Sequence, residues 1–88
     1  MTFQVEVRVL PRRGILDPQG KAVGGALSSL GFRGVSEVHI GRVIVLLLEA
    51  PSAEAAHENA EAMCRQLLAN PVTEDYEIQV HEPLGSQA

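Results

Sequence analysis

The run Val43-Ile44-Val45-Leu46-Leu47-Leu48 sets six apolar residues side by side. Neighbouring side chains of a strand point to opposite faces, so this run offers apolar groups to both sides of a sheet. Helices cover only one face of a small antiparallel sheet. The other face of this strand then needs cover from another subunit or another protein.

Outward from the run, Val35, Val38 and Ile40 lead into Gly41-Arg42. Gly41 marks either a hairpin between two strands or a bulge that kinks one long strand. Downstream, Pro51-Ser52 opens a helix with Ser52 as its cap. Ala53, Ala56, Ala60, Met63, Cys64, Leu67 and Leu68 form its apolar stripe, with Glu54, Glu58, Glu61 and Arg65 off it. Glu61 and Arg65 pair at i,i+4, worth a few tenths of a kcal/mol. Asn70-Pro71 bounds the helix. Tyr76, Ile78 and Val80 then alternate with Glu77, Gln79 and His81 as a last strand, and 83–88 reads as a loose tail.

Towards the N-terminus, Phe3, Val5, Val7 and Val9 alternate with Gln4, Glu6 and Arg8, which predicts a strand closed by Pro11. The stretch Gly14-Ile15-Leu16-Asp17-Pro18-Gln19-Gly20 follows. Asp17 is suited to cap a helix and Pro18 to occupy its first turn. Gly14 and Gly20 permit a tight turn or a close approach of another segment. Ile15 and Leu16 are apolar residues on a connection and want cover. Val23, Ala26, Leu27 and Leu30 lie on one helical stripe, and Leu30-Gly31-Phe32 supplies a stop. Gly24-Gly25 implies either close packing against that helix or a weak helix.

The order β-α-β(β)-α-β predicts an α+β, two-layer βαββαβ-like domain over residues 1–82. Two helices lie on one face of a small, mainly antiparallel sheet, and the other face serves oligomerisation. At 88 residues with 3% aromatics and no Trp, the core must come from Val, Leu, Ile and Ala. A net charge of −4 argues against a nucleic-acid surface. The single Cys64 excludes an internal disulfide, and the longest apolar run is far too short to span a bilayer. A cytoplasmic protein is expected.

Little in the chain carries chemistry. Gly14 to Lys21 has the wrong spacing for a phosphate loop, and Ala22 stands where Ser or Thr would bind magnesium. His39, His57 and His81 fall on different elements, without metal-ligand spacing. Cys64 sits on an apolar stripe and reads as a small hydrophobe. Glu74-Asp75 read as turn residues, and Tyr76 as half-buried packing. An interaction protein is favoured over an enzyme.

Taken together, Gly14 to Gly20, Leu30-Gly31-Phe32, Cys64-Arg65-Gln66-Leu67-Leu68-Ala69-Asn70-Pro71-Val72 and Glu74-Asp75-Tyr76 resemble the PurS family. These are the small subunits of phosphoribosylformylglycinamidine (FGAM) synthase. The resemblance implies a non-catalytic subunit of a glutamine-dependent, ATP-consuming ligase of purine biosynthesis, with no catalytic, cofactor or metal residues of its own. It would bridge the synthetase subunit PurL, which holds ATP and magnesium, and the glutaminase subunit PurQ, and support ammonia transfer. It also implies self-association as a dimer or tetramer. Specific sequence on connections is more often functional than specific sequence in a core. Arg12, Arg13, Ile15, Leu16, Asp17 and Gln19 on the first loop, with Asn70 and Tyr76 around the second turn, are therefore the expected partner-facing residues. The alternative is a small-molecule-binding regulatory domain of the ACT or ferredoxin-like sort.

Overall fold

The structure is a computed structural model and describes residues 1–83. Its elements are β1 (Thr2–Pro11), α1 (Pro18–Ser29), β2 (Arg42–Glu49), α2 (Ala53–Met63) continued by one π-helical turn (Cys64–Leu68), and β3 (Glu74–Pro83). The three strands form one antiparallel sheet in the order β2-β1-β3. This is the expected α+β class, with two helices and a small antiparallel sheet. Pro83, expected in the tail, closes β3 instead; the rest of the tail lies outside the described residues.

β1 is central, pairing with β2 on one side and with β3 on the other. Phe3, Val5, Val7 and Val9 are buried on one face and are matched by Leu48, Leu46 and Ile44 on β2 and by Val80, Ile78 and Tyr76 on β3. Over this face lies α2, whose buried residues Ala56, Ala60 and Cys64 recur every fourth position. Small side chains let its backbone approach the sheet closely, which is how a core with so few aromatics closes. Burial also pushes the Cys64 thiol up from its ordinary pKa, as fits a packed hydrophobe rather than a nucleophile.

The π-helical turn corrects the expected apolar stripe. Ala69 N–H reaches the carbonyl of Cys64, five residues back, at 3.1 Å. The wider turn rotates the last residues, so Leu68 stays half-buried while Leu67 is 82% exposed.

The second correction concerns Val35 to Ile40, which forms no strand. Pairing with β1 begins at Arg42, opposite Val9, and β1 ends at Pro11, so the segment has no strand to extend along. Gly41 therefore marks neither a hairpin nor a kink. It is glycine because a Cβ there would strike the Val9 carbonyl oxygen and the Leu10 side chain.

The caps follow the sequence. Asp17 accepts from Gly20 N–H at 3.0 Å, with Pro18 in the first turn, and Ser52 accepts from Ala55 N–H at 3.1 Å. Gly31, at φ +93°, ends α1. Its N–H donates to Ser28 and that of Phe32 to Leu27, satisfying two carbonyls of the last turn. Of the two helices, α2 packs closely on the sheet. α1 runs out beside it, against the extended segment around Val38.

A Cβ at Gly24 would meet the Val38 side chain at van der Waals distance, whereas one at Gly25 would meet nothing within 4 Å. Gly25→Ala is therefore expected to stabilise the isolated chain by up to ~1 kcal/mol through helix propensity, read as a rise in melting temperature.

Candidate functional site

Both segments singled out in the sequence come to the same end of the sheet, because β1 leaves where β3 begins. Arg12 joins them. Its backbone N–H donates to the Thr73 carbonyl at 2.9 Å, its Nε to Asp75 Oδ1 at 3.1 Å, and its Nη2 to the Pro71 carbonyl at 2.7 Å. Arg12 is thus a brace between loop and turn rather than a free cation.

Asn70 organises the turn. Its Oδ1 accepts from Val72 N–H at 2.9 Å, and its carbonyl accepts from Thr73 and Glu74. Glu74 returns a bond by accepting from Asn70 N–H at 2.8 Å. Arg42, at the start of β2, grips both oxygens of Glu74 at 2.8 and 3.0 Å and caps the Leu68 carbonyl at 2.6 Å. This arginine and the Asn70 amide hold the Glu74 carboxyl below its ordinary pKa. The sequence reading missed the Arg42–Glu74 pair and took Glu74 for a plain turn residue. Nothing in either residue's neighbourhood signals the contact. It depends on two strand starts meeting at one end of the sheet.

Asp17 has two duties. Besides capping α1, its other oxygen accepts from Ile40 N–H at 2.9 Å, tying the start of α1 to the residues before β2. Gly20 presses against the same segment, where a Cβ would strike the Val38 carbonyl. The bonds from Gly20 first, then Ile40, hold the Asp17 carboxyl below the ordinary aspartate value. A folded-state pKa below the unfolded one gives a tie in full force above the unfolded aspartate range, lost as pH falls through the lowered value. The Gly20 and Ile40 amide resonances are expected to titrate together below the ordinary aspartate pKa, and Asp17→Asn to remove that transition.

Between these braces runs a shallow groove bordered by Ile15, Leu16, Asp17, Gln19, Arg42 and Thr73. Ile15 and Leu16 make part of its rim apolar, with Leu16 73% exposed; outside the groove, Leu67 and Val72 near the turn also have most of their surface in water. Arg13 lies outside the groove, at a separate recess with Arg8 and Leu10. Tyr76 borders that recess while packing against the core opposite Val9. So Ile15, Leu16, Asp17 and Gln19 share one surface with the Asn70 turn, and Arg13 and Tyr76 do not. A braced backbone with a partly apolar rim and polar walls is suited to docking a protein surface.

The sequence profile of the PurS family, described as phosphoribosylformylglycinamidine (FGAM) synthase, matches residues 4–82. The chain belongs to the PurS family. It is 39% identical over 80 residues to the PurS subunit of FGAM synthase from Methanocaldococcus jannaschii, covering 91% of this chain and 96% of that one. Its PurS counterpart from Synechocystis is 45% identical over 75 residues, with 85% and 75% covered. Among solved structures, a chain in PurLQS from Thermotoga maritima superposes with a TM-score of 0.83 at 32% identity, covering 92% of this chain and 99% of that one. The chain is therefore a small subunit of FGAM synthase, and the regulatory-domain alternative has no support.

Proposed function

We propose that this chain is the non-catalytic small subunit that joins a PurL-type synthetase to a PurQ-type glutaminase and supports ammonia transfer between them. The observation that carries the reading is the match over almost the whole of a chain found within PurLQS. The braced loop-and-turn end, with its exposed Leu16, supplies a surface for a partner subunit. ATP and magnesium act on the large subunit, in the cytoplasm. No helix among the described residues is long and apolar enough to cross a membrane.

Self-association belongs to the same reading. Among the described residues no helix lies on the second face of the sheet, which presents Val43, Val45 and Leu47, each more than half exposed, beside Gln4, Glu6 and Arg8. These are the outward half of the apolar run. A second copy is the cover proposed for them, in a dimer or tetramer.

Reconstitution of FGAM synthase from purified subunits tests the role. Without this chain, glutamine-dependent turnover is expected to fall at least about a hundredfold, since ammonia must then cross bulk water. Turnover driven by added ammonia persists. Equal loss of both activities would instead place the chain in the synthetase chemistry.

A further inference from the structure

Positive charge is unevenly placed on this chain. Of its seven Lys and Arg residues, Arg12, Arg42 and Arg65 lie in ion pairs with Asp75, Glu74 and Glu61. Among the described residues Arg8 and Arg13 form no ion pair, and both border the same recess. Alternation along β1 puts Arg8 and Leu10 on the face opposite the buried Val7 and Val9. β2 begins opposite Val9 and so stops short of Leu10, which stays half exposed. Past Pro11 the chain turns, and Arg12 fixes the turn through its bonds to Pro71, Thr73 and Asp75. Arg13 is the next residue and is held at the recess by that brace.

The recess encloses about 290 Å³, with Leu10, Pro11 and Tyr76 as its apolar lining. Arg8 stands opposite Glu77 in the register of β1 and β3, yet the two side chains stay apart. Asp75, the other carboxylate of the recess, is engaged by Arg12. Two open guanidiniums therefore face one open carboxylate. The recess is positive on balance, on a chain whose net charge is −4. Pro11 also borders the Leu16 groove, so the two concave surfaces meet at one braced loop.

We infer that the Arg8–Arg13 recess is a second docking surface for a subunit of FGAM synthase, seating an apolar segment that carries Asp or Glu, while the Leu16 groove holds the other subunit. The inference rests on the bridging reading above, since a bridge needs two surfaces and the groove is one. A guanidinium matches a carboxylate as a two-point fork, and two of them left open can grip one acidic side chain from both sides. Leu10 and Pro11 ask for apolar company beside that charge. A nucleic acid fits poorly, because the rest of the chain repels a polyanion. Surfaces that share one rigid loop also hold the two partners side by side, which keeps the path for ammonia short.

The complete FGAM synthase, reconstituted with Arg8→Gln and Arg13→Gln together in this chain, tests the recess. Assembly at low salt is expected to weaken at least about tenfold, and the remaining affinity to lose most of its salt dependence. Both arginines are exposed and unpaired, so the variant should melt with the parent. In parallel, Glu77→Cys at the recess and Gln19→Cys at the groove each carry a thiol-linked photo-crosslinker in the assembled complex; the native Cys64 is buried and stays unlabelled. Capture of the synthetase from one position and of the glutaminase from the other supports the inference. Capture of the same subunit from both overturns it, as does capture of a second copy of this chain from Glu77→Cys. A double-Gln chain that assembles with the parent's affinity and salt dependence also overturns it, and leaves the bridging role standing if glutamine-dependent turnover still requires the chain. Turnover that is unchanged when the chain is omitted overturns the bridging reading and the recess together.

Discussion

Leu16→Glu should weaken assembly of this chain with its synthetase and glutaminase partners by at least about tenfold, and lower glutamine-dependent turnover in step at limiting subunit concentration. Leu16 is the most exposed apolar residue of the first loop and sits on the rim of a groove held rigid on both sides. A charge placed in the desolvated centre of an interface costs more than 1.4 kcal/mol, which is a factor of ten in affinity. In the free subunit the same change lies in water, so its melt should move by less than about 0.5 kcal/mol. Glu58→Gln, on the exposed side of α2, is the matched control and should change neither quantity. A Leu16→Glu chain that co-purifies as well as the parent would remove this groove from the partner surface. Asp17→Ala is a poorer probe. It breaks the helix cap and the Ile40 tie together, so a loss of assembly would follow from a displaced α1 as readily as from a lost contact.

That contrast shows how far the sequence carries. Local chemistry is legible residue by residue. Asp17-Pro18 starts a helix, Gly31 stops it, Ser52 caps the next, and the alternation from Phe3 to Val9 makes a strand with one buried face. Each depends on neighbours within four positions, which is the reach of capping and periodicity. The family could also be read, because its specific motifs stand in fixed order and spacing along the chain.

The rest depends on distances in space. Val35 to Ile40 carries strand-like residues, but a strand needs a partner, and β1 has ended before the segment begins. Leu67 continues the apolar period of α2 until a π-helical turn rotates it outward. The double role of Asp17 and the Arg42–Glu74 pair join positions 23 and 32 residues apart in sequence. Of the proposed interface residues, Arg13 and Tyr76 lie near the loop and turn in sequence only. The strand direction sends them to a different recess.

Gly41→Ala is the substitution expected to damage the isolated fold most. Gly41 is the last residue before β2, and its φ is not in the left-handed region, so its need for glycine is spatial. An added Cβ would strike the Val9 carbonyl oxygen and come within 2.6 Å of Leu10 Cδ2. The Leu10 side chain can move, since it is half exposed, but the Val9 backbone cannot move alone. Val9 is fully buried in the central strand and paired with both Arg42 and Tyr76. Relief must come from displacing the start of β2, which carries Arg42 away from Glu74 and the Leu68 carbonyl. Overpacking of this kind costs roughly 1–3 kcal/mol, and a chain of this size loses about 4–8 °C of melting temperature per kcal/mol. A second signature separates this cause from general loosening. If β2 shifts and Arg42 lets go, the Glu74 carboxyl loses its main cause of a depressed pKa and should titrate closer to the ordinary glutamate value. A Gly41→Ala chain that melts with the parent and keeps Glu74 depressed would show that β1 and β2 can separate there without strain.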